Sequence, residues 1–312
     1  MTATVKGLLA GEFRQAPVAM TVVRVGLGLM WISNLAWKVP PEFGRGTKGG
    51  LYSYLADAVA HPVFPPYSWL VEHAVIPAFL PFAWMTIAVE TLLAVLLLTG
   101  TWTRFAALLG IAQSLAIGLS VAVTPNEWPW SYALMMLGHL AILASSPAAQ
   151  PGVDKILYGS GNRTMAAGRQ LTGWGAVAIV AGLWAAATSF GDPLASGGTT
   201  VGLPELELQV GQYNLLGGLL LVLLGAALVV AARRTNASYT RIVAAVAAVA
   251  ALSVVARWGF GSVPLGGNGS STALFLAIAL VALLMGRSIG RAPDGNLQEP
   301  TTERKDTAPA TT

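Results

Sequence analysis

Residues 74–98 read AVIPAFLPFAWMTIAVETLLAVLLL, a run whose single charge is Glu90. A transmembrane helix needs about 20 mostly apolar residues to cross roughly 30 Å of hydrocarbon, so this stretch predicts a membrane span. Seven other stretches share this character. Together they predict an all-α, polytopic membrane protein of about eight transmembrane helices: Pro17 to Trp37, Ala74 to Leu98, Thr103 to Val123, Trp128 to Ala144, Leu171 to Phe190, Gln212 to Ala232, Thr240 to Trp258 and Ser271 to Arg287.

The composition agrees with a lipid-exposed protein. The chain is 54% hydrophobic and 10% charged, whereas a soluble domain is about 25% charged. So few charges cannot coat a soluble globule of this length. The net charge of +4 comes from basic residues in short gaps between apolar runs, which predicts topology determinants and no nucleic-acid partner.

The distribution of lysine and arginine predicts the orientation. Cytoplasmic loops carry an excess of these residues, and alternate gaps of this chain do so. The other gaps hold only Lys38, Arg45 and Lys48, all in one loop. We therefore expect both ends in the cytoplasm of a multi-pass protein of the cell (plasma) membrane.

The spans fall into two groups of four. The Gly- and Pro-containing stretch from Ser145 to Gln170 divides them, which predicts membrane regions at 1–157 and 158–290. The tail, 291–312, lacks apolar periodicity and is expected to be disordered. The longest segment between spans, Val39 to Glu72, contains GLYSYLADAVA at 50–60, which predicts a short helix on the outer surface.

The absence of cysteine limits the chemistry. It excludes disulfides, thiolate nucleophiles, cysteine-ligated iron–sulfur clusters and zinc thiolate sites. Only three histidines are present. We therefore expect no haem, iron–sulfur or other metal centre.

Four polar residues are predicted at a similar depth in the inner leaflet, one on each of the first four spans. They are Arg24, Glu90, Gln113 and His139. Ionisable residues at membrane depth are costly and often functional. One interpretation is a pocket in which Arg24 pairs with Glu90 and His139 exchanges a proton; the other is a structural set that fixes helix register.

A second polar set is predicted at the outer ends of the spans. Asn34 and Lys38 end the first span, and Arg257 ends the seventh. These residues either bind a substrate or extend their polar ends into the interface. Asp192, Glu205 and Glu207 lie in a loop without basic residues, so Lys38 or Arg257 are their candidate partners. Glu127 is interpreted as a solvated turn residue.

The first half resembles the DoxX/DoxD family, in which DoxD is the small subunit of a thiosulfate:quinone oxidoreductase. The resemblance covers about Pro17 to Leu157. Its residues are Arg24-Val25-Gly26-Leu27-Gly28 with Trp31 and Lys38, Glu90 followed by Gly100-Thr101-Trp102-Thr103-Arg104, Trp128-Pro129-Trp130 with Tyr132, and Gly152-Val153-Asp154.

The resemblance implies a four-helix membrane bundle associated with quinone-linked redox chemistry, such as oxidation of thiosulfate or another sulfur compound, and a soluble or membrane redox partner. Glu90 and His139 are the candidate catalytic residues; Arg24, Gln113, Asn34, Lys38 and Arg257 are candidates for binding quinone or substrate. Two other functions fit the sequence: transport of a small anion or metabolite, and a membrane scaffold for a soluble partner.

Overall fold

A computed structural model describes residues 16–46, 49–125, 127–203, 206–257 and 264–290 of the chain. Several residues named above lie outside these ranges: Lys48, Glu205, Trp258 and the tail 291–312.

The described residues form eleven α-helices and one β-hairpin. The helices are α1 Ala16–Ala36, α2 Leu51–Ala60, α3 Pro65–Leu70, α4 Phe79–Thr99, α5 Thr103–Val121, α6 Trp130–Ala144, α7 Val153–Tyr158, α8 Arg163–Thr188, α9 Leu215–Arg234, α10 Ala237–Arg257 and α11 Gly269–Gly290. The strands are β1 Gly197–Leu203 and β2 Leu206–Tyr213. A π-helical turn, Val71–Val75, follows α3, and a 3₁₀ turn, Pro147–Ala149, precedes α7.

Seven of the described helices are long and apolar enough to cross a membrane: α1, α4, α5, α8, α9, α10 and α11. The multi-pass, all-α prediction is confirmed. The predicted fourth span is the shorter helix α6, whose 15 residues extend about 22 Å. It runs antiparallel to α5, since Tyr132 lies against Gly118 and His139 against Gly110.

Local sequence explains where several helices begin and end. Asn162 caps α8 by accepting a hydrogen bond from the Met165 amide, and Asn214 caps α9 through the Gly217 amide. Such caps satisfy amides that have no partner within the helix. Gly100, with a φ of 66°, ends α4 in the left-handed conformation, which glycine adopts without steric cost.

The segment between α1 and α4, which the predicted orientation places on the outer side, folds over the first group of helices. The terms outer and inner refer to that predicted orientation from here on. The predicted helix in this segment is confirmed as α2, which packs against α5. Leu51, Leu55 and Ala58 are buried on its inner face. The predicted second span is shorter than expected, since α4 begins at Phe79.

A β-hairpin precedes α9, where the sequence had indicated a loop. β1 and β2 pair antiparallel, with Leu203 opposite Leu206 and Gly197 opposite Tyr213. The predicted start of the sixth span at Gln212 is therefore wrong, because this residue lies in β2. The alternation of Leu206, Leu208 and Val210 with polar residues was the period-2 pattern of a strand.

The last helix, α11, packs against both halves. Its Ala273 and Ala277 belong to the apolar core of the first helices, while Leu274, Phe275 and Ile278 belong to the core of the second group. The placement of the two groups therefore depends on α11.

A candidate ligand cavity beneath the outer helices

A cavity of about 450 Å³ lies under α2 and α3, between the outer halves of α1, α4 and α5. Most of its walls are apolar or aromatic, from Leu55, Phe82, Val89 and Ile117 among others. Trp37, Leu70 and Met85 line it and are also exposed on the surface, at 39%, 47% and 56%. The cavity therefore reaches the molecular surface beside apolar side chains.

The floor of this cavity is a buried ion pair. Lys38 Nζ lies 2.8 Å from Glu90 Oε2, and the two side chains are 3% and 0% exposed. Gln113 Nε2 donates to Glu90 Oε1 at 3.3 Å. Lys38 Nζ also donates to the Asn34 carbonyl at 2.7 Å and lies 3.9 Å from the centre of the Trp37 ring. The end of α1, the middle of α4 and the middle of α5 thus bring Lys38, Glu90 and Gln113 into contact.

The partner of Glu90 is therefore Lys38, and the predicted Arg24–Glu90 pair is wrong. The interpretation of Lys38 as an interface residue is also wrong, because its ammonium group is buried. Lys38 follows the outer end of α1, and its four-carbon side chain extends back into the bundle. Burial of this ammonium is compensated by the carboxylate and the carbonyl.

A second polar group lines the cavity nearer the outer face. Tyr132 Oη donates to Glu127 Oε2 at 2.7 Å, so Glu127 is more than a solvated turn residue. Tyr67 Oη is 2.9 Å from Ser120 Oγ and 3.1 Å from the Ala116 carbonyl, to which it donates. Burial raises the pKa of Tyr67, although the Ser120 hydrogen bond opposes this. The phenol is therefore a neutral hydrogen-bonding group at physiological pH.

Tyr54, Tyr67 and the role of Glu127 were not predicted from the sequence. Tyr54 and Tyr67 belong to the outer segment. The sequence predicts a short helix in this segment, but it does not indicate that the segment folds over the membrane helices. The aromatic residues of that segment could have indicated that it packs against the helices. Tyrosines that become buried in this way need a hydrogen-bond partner for the hydroxyl.

Arg24 lies at a separate site near the inner end of the bundle. Its guanidinium donates to the carbonyls of Leu97 and Leu98 at the end of α4, and to Pro151 at 2.7 Å. These carbonyls include groups that the helix end leaves without intrahelical partners. The contacts describe a structural clamp that joins α1, α4 and the segment before α7.

Asp154 completes the same inner joint. Its carboxylate accepts from the Trp102 and Thr103 amides at 2.8 Å each, and from the Thr103 hydroxyl at 2.7 Å. It thereby caps α5. Gly100 packs against Arg24, because a Cβ there would lie 2.8 Å from a guanidinium nitrogen. Several residues on which the family resemblance rests thus meet in this joint.

His139 is buried away from the cavity lining. Its Nε2 accepts from Trp31 Nε1 at 3.2 Å, and its Nδ1 is 2.6 Å from the Met135 carbonyl. The indole N–H can only donate and the carbonyl can only accept, so these contacts assign a neutral ring protonated at Nδ1. Both ring nitrogens are occupied, and the expected meeting of all four inner polar residues does not occur.

The outer candidates separate in the same way. Asn34 lines the cavity and donates to the Met30 carbonyl at 3.2 Å. Arg257 is exposed at the end of α10 and is not part of the lining. The structure therefore brings together Asn34, Lys38, Glu90 and Gln113. Arg24, His139 and Arg257 lie elsewhere.

Within the described ranges, no group of three or more His, Cys, Asp or Glu side chains is arranged to hold a metal ion. Comparisons of the chain with family models, curated proteins and solved structures found no match.

Proposed function

We propose that the protein is a membrane subunit of the DoxX/DoxD type that binds quinone in the cavity beneath α2 and α3. The observation that carries the proposal is the Lys38–Glu90–Gln113 set at the floor of an otherwise apolar cavity. The membrane is proposed to be the plasma membrane. The oxidised substrate is proposed to be thiosulfate or another sulfur compound, handled with a redox partner.

The chemistry of the cavity fits a quinone headgroup. Its volume of about 450 Å³ falls in the range of small-molecule sites, which combine apolar walls with a few polar groups. A quinone ring is flat and apolar, with carbonyl oxygens that accept hydrogen bonds. When bound, a quinone supplies two-electron chemistry coupled to protons.

Three residues of the chain would handle this ligand. The Lys38 ammonium would donate to a carbonyl oxygen. Glu90 would hold or release a proton at its carboxylate oxygens, and Gln113 would orient that carboxylate through its amide. The outer helices would exclude water, which strengthens each electrostatic contact.

Electrons would come from a partner subunit. The chain has no cysteine that could ligate an iron–sulfur cluster. Access to the cavity would be from the outer side, because Leu93, Leu97, Ala106 and Ala107 are buried between the ion pair and the inner end.

Transport of a small anion ranks lower as a function. The cavity is lined by two carboxylates, Glu90 and Glu127, and one ammonium, Lys38. An anion would be repelled by the unpaired negative charge.

A scaffold function also ranks lower, since the buried face of α2 is already used to cover the cavity.

Titration with a water-soluble short-chain quinone tests the proposal. Quinones quench tryptophan fluorescence on contact, and Trp37 lines the cavity. We expect saturable quenching in the wild type and about 10- to 100-fold weaker binding in Lys38→Met, because a charge-assisted hydrogen bond contributes about 1.5–3 kcal/mol. Arg45→Met, which removes an outer charge beside Tyr52, is the matched control. Unsaturable quenching, or equal weakening in both variants, would count against the site.

A further inference from the structure

The inner ends of α8 and α9 form a basic groove that the proposed quinone site does not involve. The groove has a volume of about 310 Å³ and is lined by Gly168, Arg169, Thr172, Ala232 and Arg233. Arg169 lies six residues into α8, and Arg233 lies in the last turn of α9. Two arginines from neighbouring helices therefore border one depression.

Gly168 adds no side chain to the groove. Gly168 has no Cβ, and a Cβ built there would lie 3.8 Å from the Ala232 carbonyl oxygen. Thr172 donates its hydroxyl to the Gly168 carbonyl at 2.9 Å. Arg169 and Arg233 are both exposed, so their guanidinium groups can reach a ligand at the rim of the groove.

The electrostatic surroundings favour an anion. Among the described residues at this end of the helices, Asp154 is the carboxylate present, and it is buried and occupied in capping α5. Arg234, next to Arg233, is held differently: its Nη1 contacts Tyr239 Oη at 3.4 Å and its guanidinium lies over the Tyr239 ring. Arg233 lines the groove and Arg234 does not.

The same face of α8 continues as an apolar surface. Val180 and Leu183 lie eight and eleven residues after Thr172, which keeps them on one side of the helix. They are 63% and 56% exposed. A ligand bound at Arg169 would therefore have apolar helix surface directly beyond its charged end.

We propose that this groove binds the headgroup of an anionic phospholipid of the inner leaflet. The phosphate oxygens would accept from Arg169 and Arg233, because a guanidinium matches phosphate with two parallel donors. The acyl chains would lie along α8 toward Val180. Basic pockets between transmembrane helices at the cytoplasmic side are suited to such headgroups.

Native mass spectrometry of the full chain in mild detergent tests the assignment, with phosphatidylglycerol or phosphatidylcholine added. The test variant is Arg169→Gln/Arg233→Gln. The control is Arg163→Gln/Arg234→Gln, which removes the same charge from the same two helices. We expect the wild type to retain phosphatidylglycerol in preference to phosphatidylcholine. Binding should be about 30-fold weaker in the test variant and change no more than about threefold in the control.

Three outcomes would overturn the proposal. Equal weakening in the two double variants would indicate a diffuse basic field. Equal retention of phosphatidylcholine would exclude recognition of headgroup charge. Displacement of the lipid by millimolar inorganic phosphate would indicate a site for free anions. Unchanged circular dichroism of both variants would verify that they fold.

Discussion

At the residue scale, the clearest result is the partner of Glu90. The similar depths of Glu90 and Arg24 along their predicted spans had indicated that these two residues pair. The structure pairs it with Lys38, which lies outside the predicted inner-leaflet set. Long side chains move a charge several ångströms along the membrane normal. Depth along the chain therefore identified Glu90 and Gln113 as neighbours, but could not identify which cation reaches them.

Single and double substitutions measure this ion pair. Lys38→Met and Glu90→Gln should each lower the free energy of unfolding by about 3–5 kcal/mol, because each leaves a buried group without its partner. The double variant should lose less than the sum. Unfolding in a denaturing detergent titration measures the coupling. Additive losses would show that the two groups do not interact.

Arg24 is predicted to stabilise the fold without binding ligand. Arg24→Gln removes donors to three carbonyls at the inner joint and should lower the free energy of unfolding by about 2–4 kcal/mol. The affinity for short-chain quinone should remain within about threefold of wild type. A loss of quinone affinity at normal stability would return Arg24 to the binding site, as the sequence first predicted.

At the element scale, the spans were predictable because apolar length is a strong constraint in lipid. The residues at which the spans begin and end were less predictable. Arg163 begins α8 eight residues before the predicted span, because a helix continues into water when its cap and composition allow. The hairpin was missed because the segment was assigned to the loop between two apolar runs, and its short alternation was not recognised as a strand.

The contact between α8 and α9 depends on glycine. A Cβ at Gly182 would lie 2.5 Å from the Gly218 carbonyl oxygen, and one at Gly175 would lie 2.7 Å from that of Gly225. Small residues at such positions allow the two backbones to approach closely. This pattern of seven-residue spacing on both helices was present in the sequence, but only the structure pairs the two helices.

Gly182→Ala should therefore separate α8 from α9 and lower the free energy of unfolding by about 1–3 kcal/mol. Gly173→Ala is the matched control, since a Cβ there meets nothing within 4 Å. It should be neutral or stabilising by up to about 1 kcal/mol. Equal behaviour of the two variants in a thermal unfolding assay would contradict the close packing.

At the scale of the whole molecule, the two ends differ in charge. Basic residues collect at the end that contains the inner joint and the basic groove. Carboxylates such as Glu42, Asp57, Glu72 and Asp192 belong to the opposite end. The charge asymmetry of the sequence predicts the orientation of the protein, with the proposed quinone cavity on the outer side.

Cysteine labelling tests this orientation directly, because the chain contains no cysteine of its own. Glu72→Cys and Asp192→Cys should react with a membrane-impermeant maleimide on intact cells. Ser160→Cys should react only after permeabilisation. All three positions are exposed. Reaction of Ser160→Cys from outside, with the other two protected, would invert the topology.

The most direct test of the central claim is the quinone content of protein purified in mild detergent, measured by mass spectrometry of its lipid extract. We expect about one quinone per chain in the wild type. The same content is expected in the control variant Glu72→Gln, which alters an exposed outer carboxylate. The content should be strongly reduced in Glu90→Gln and in Lys38→Met/Glu90→Gln, in which no charge is left unpaired. A wild-type protein without quinone, or equal content in all four proteins, would contradict the assignment of this cavity as a quinone site.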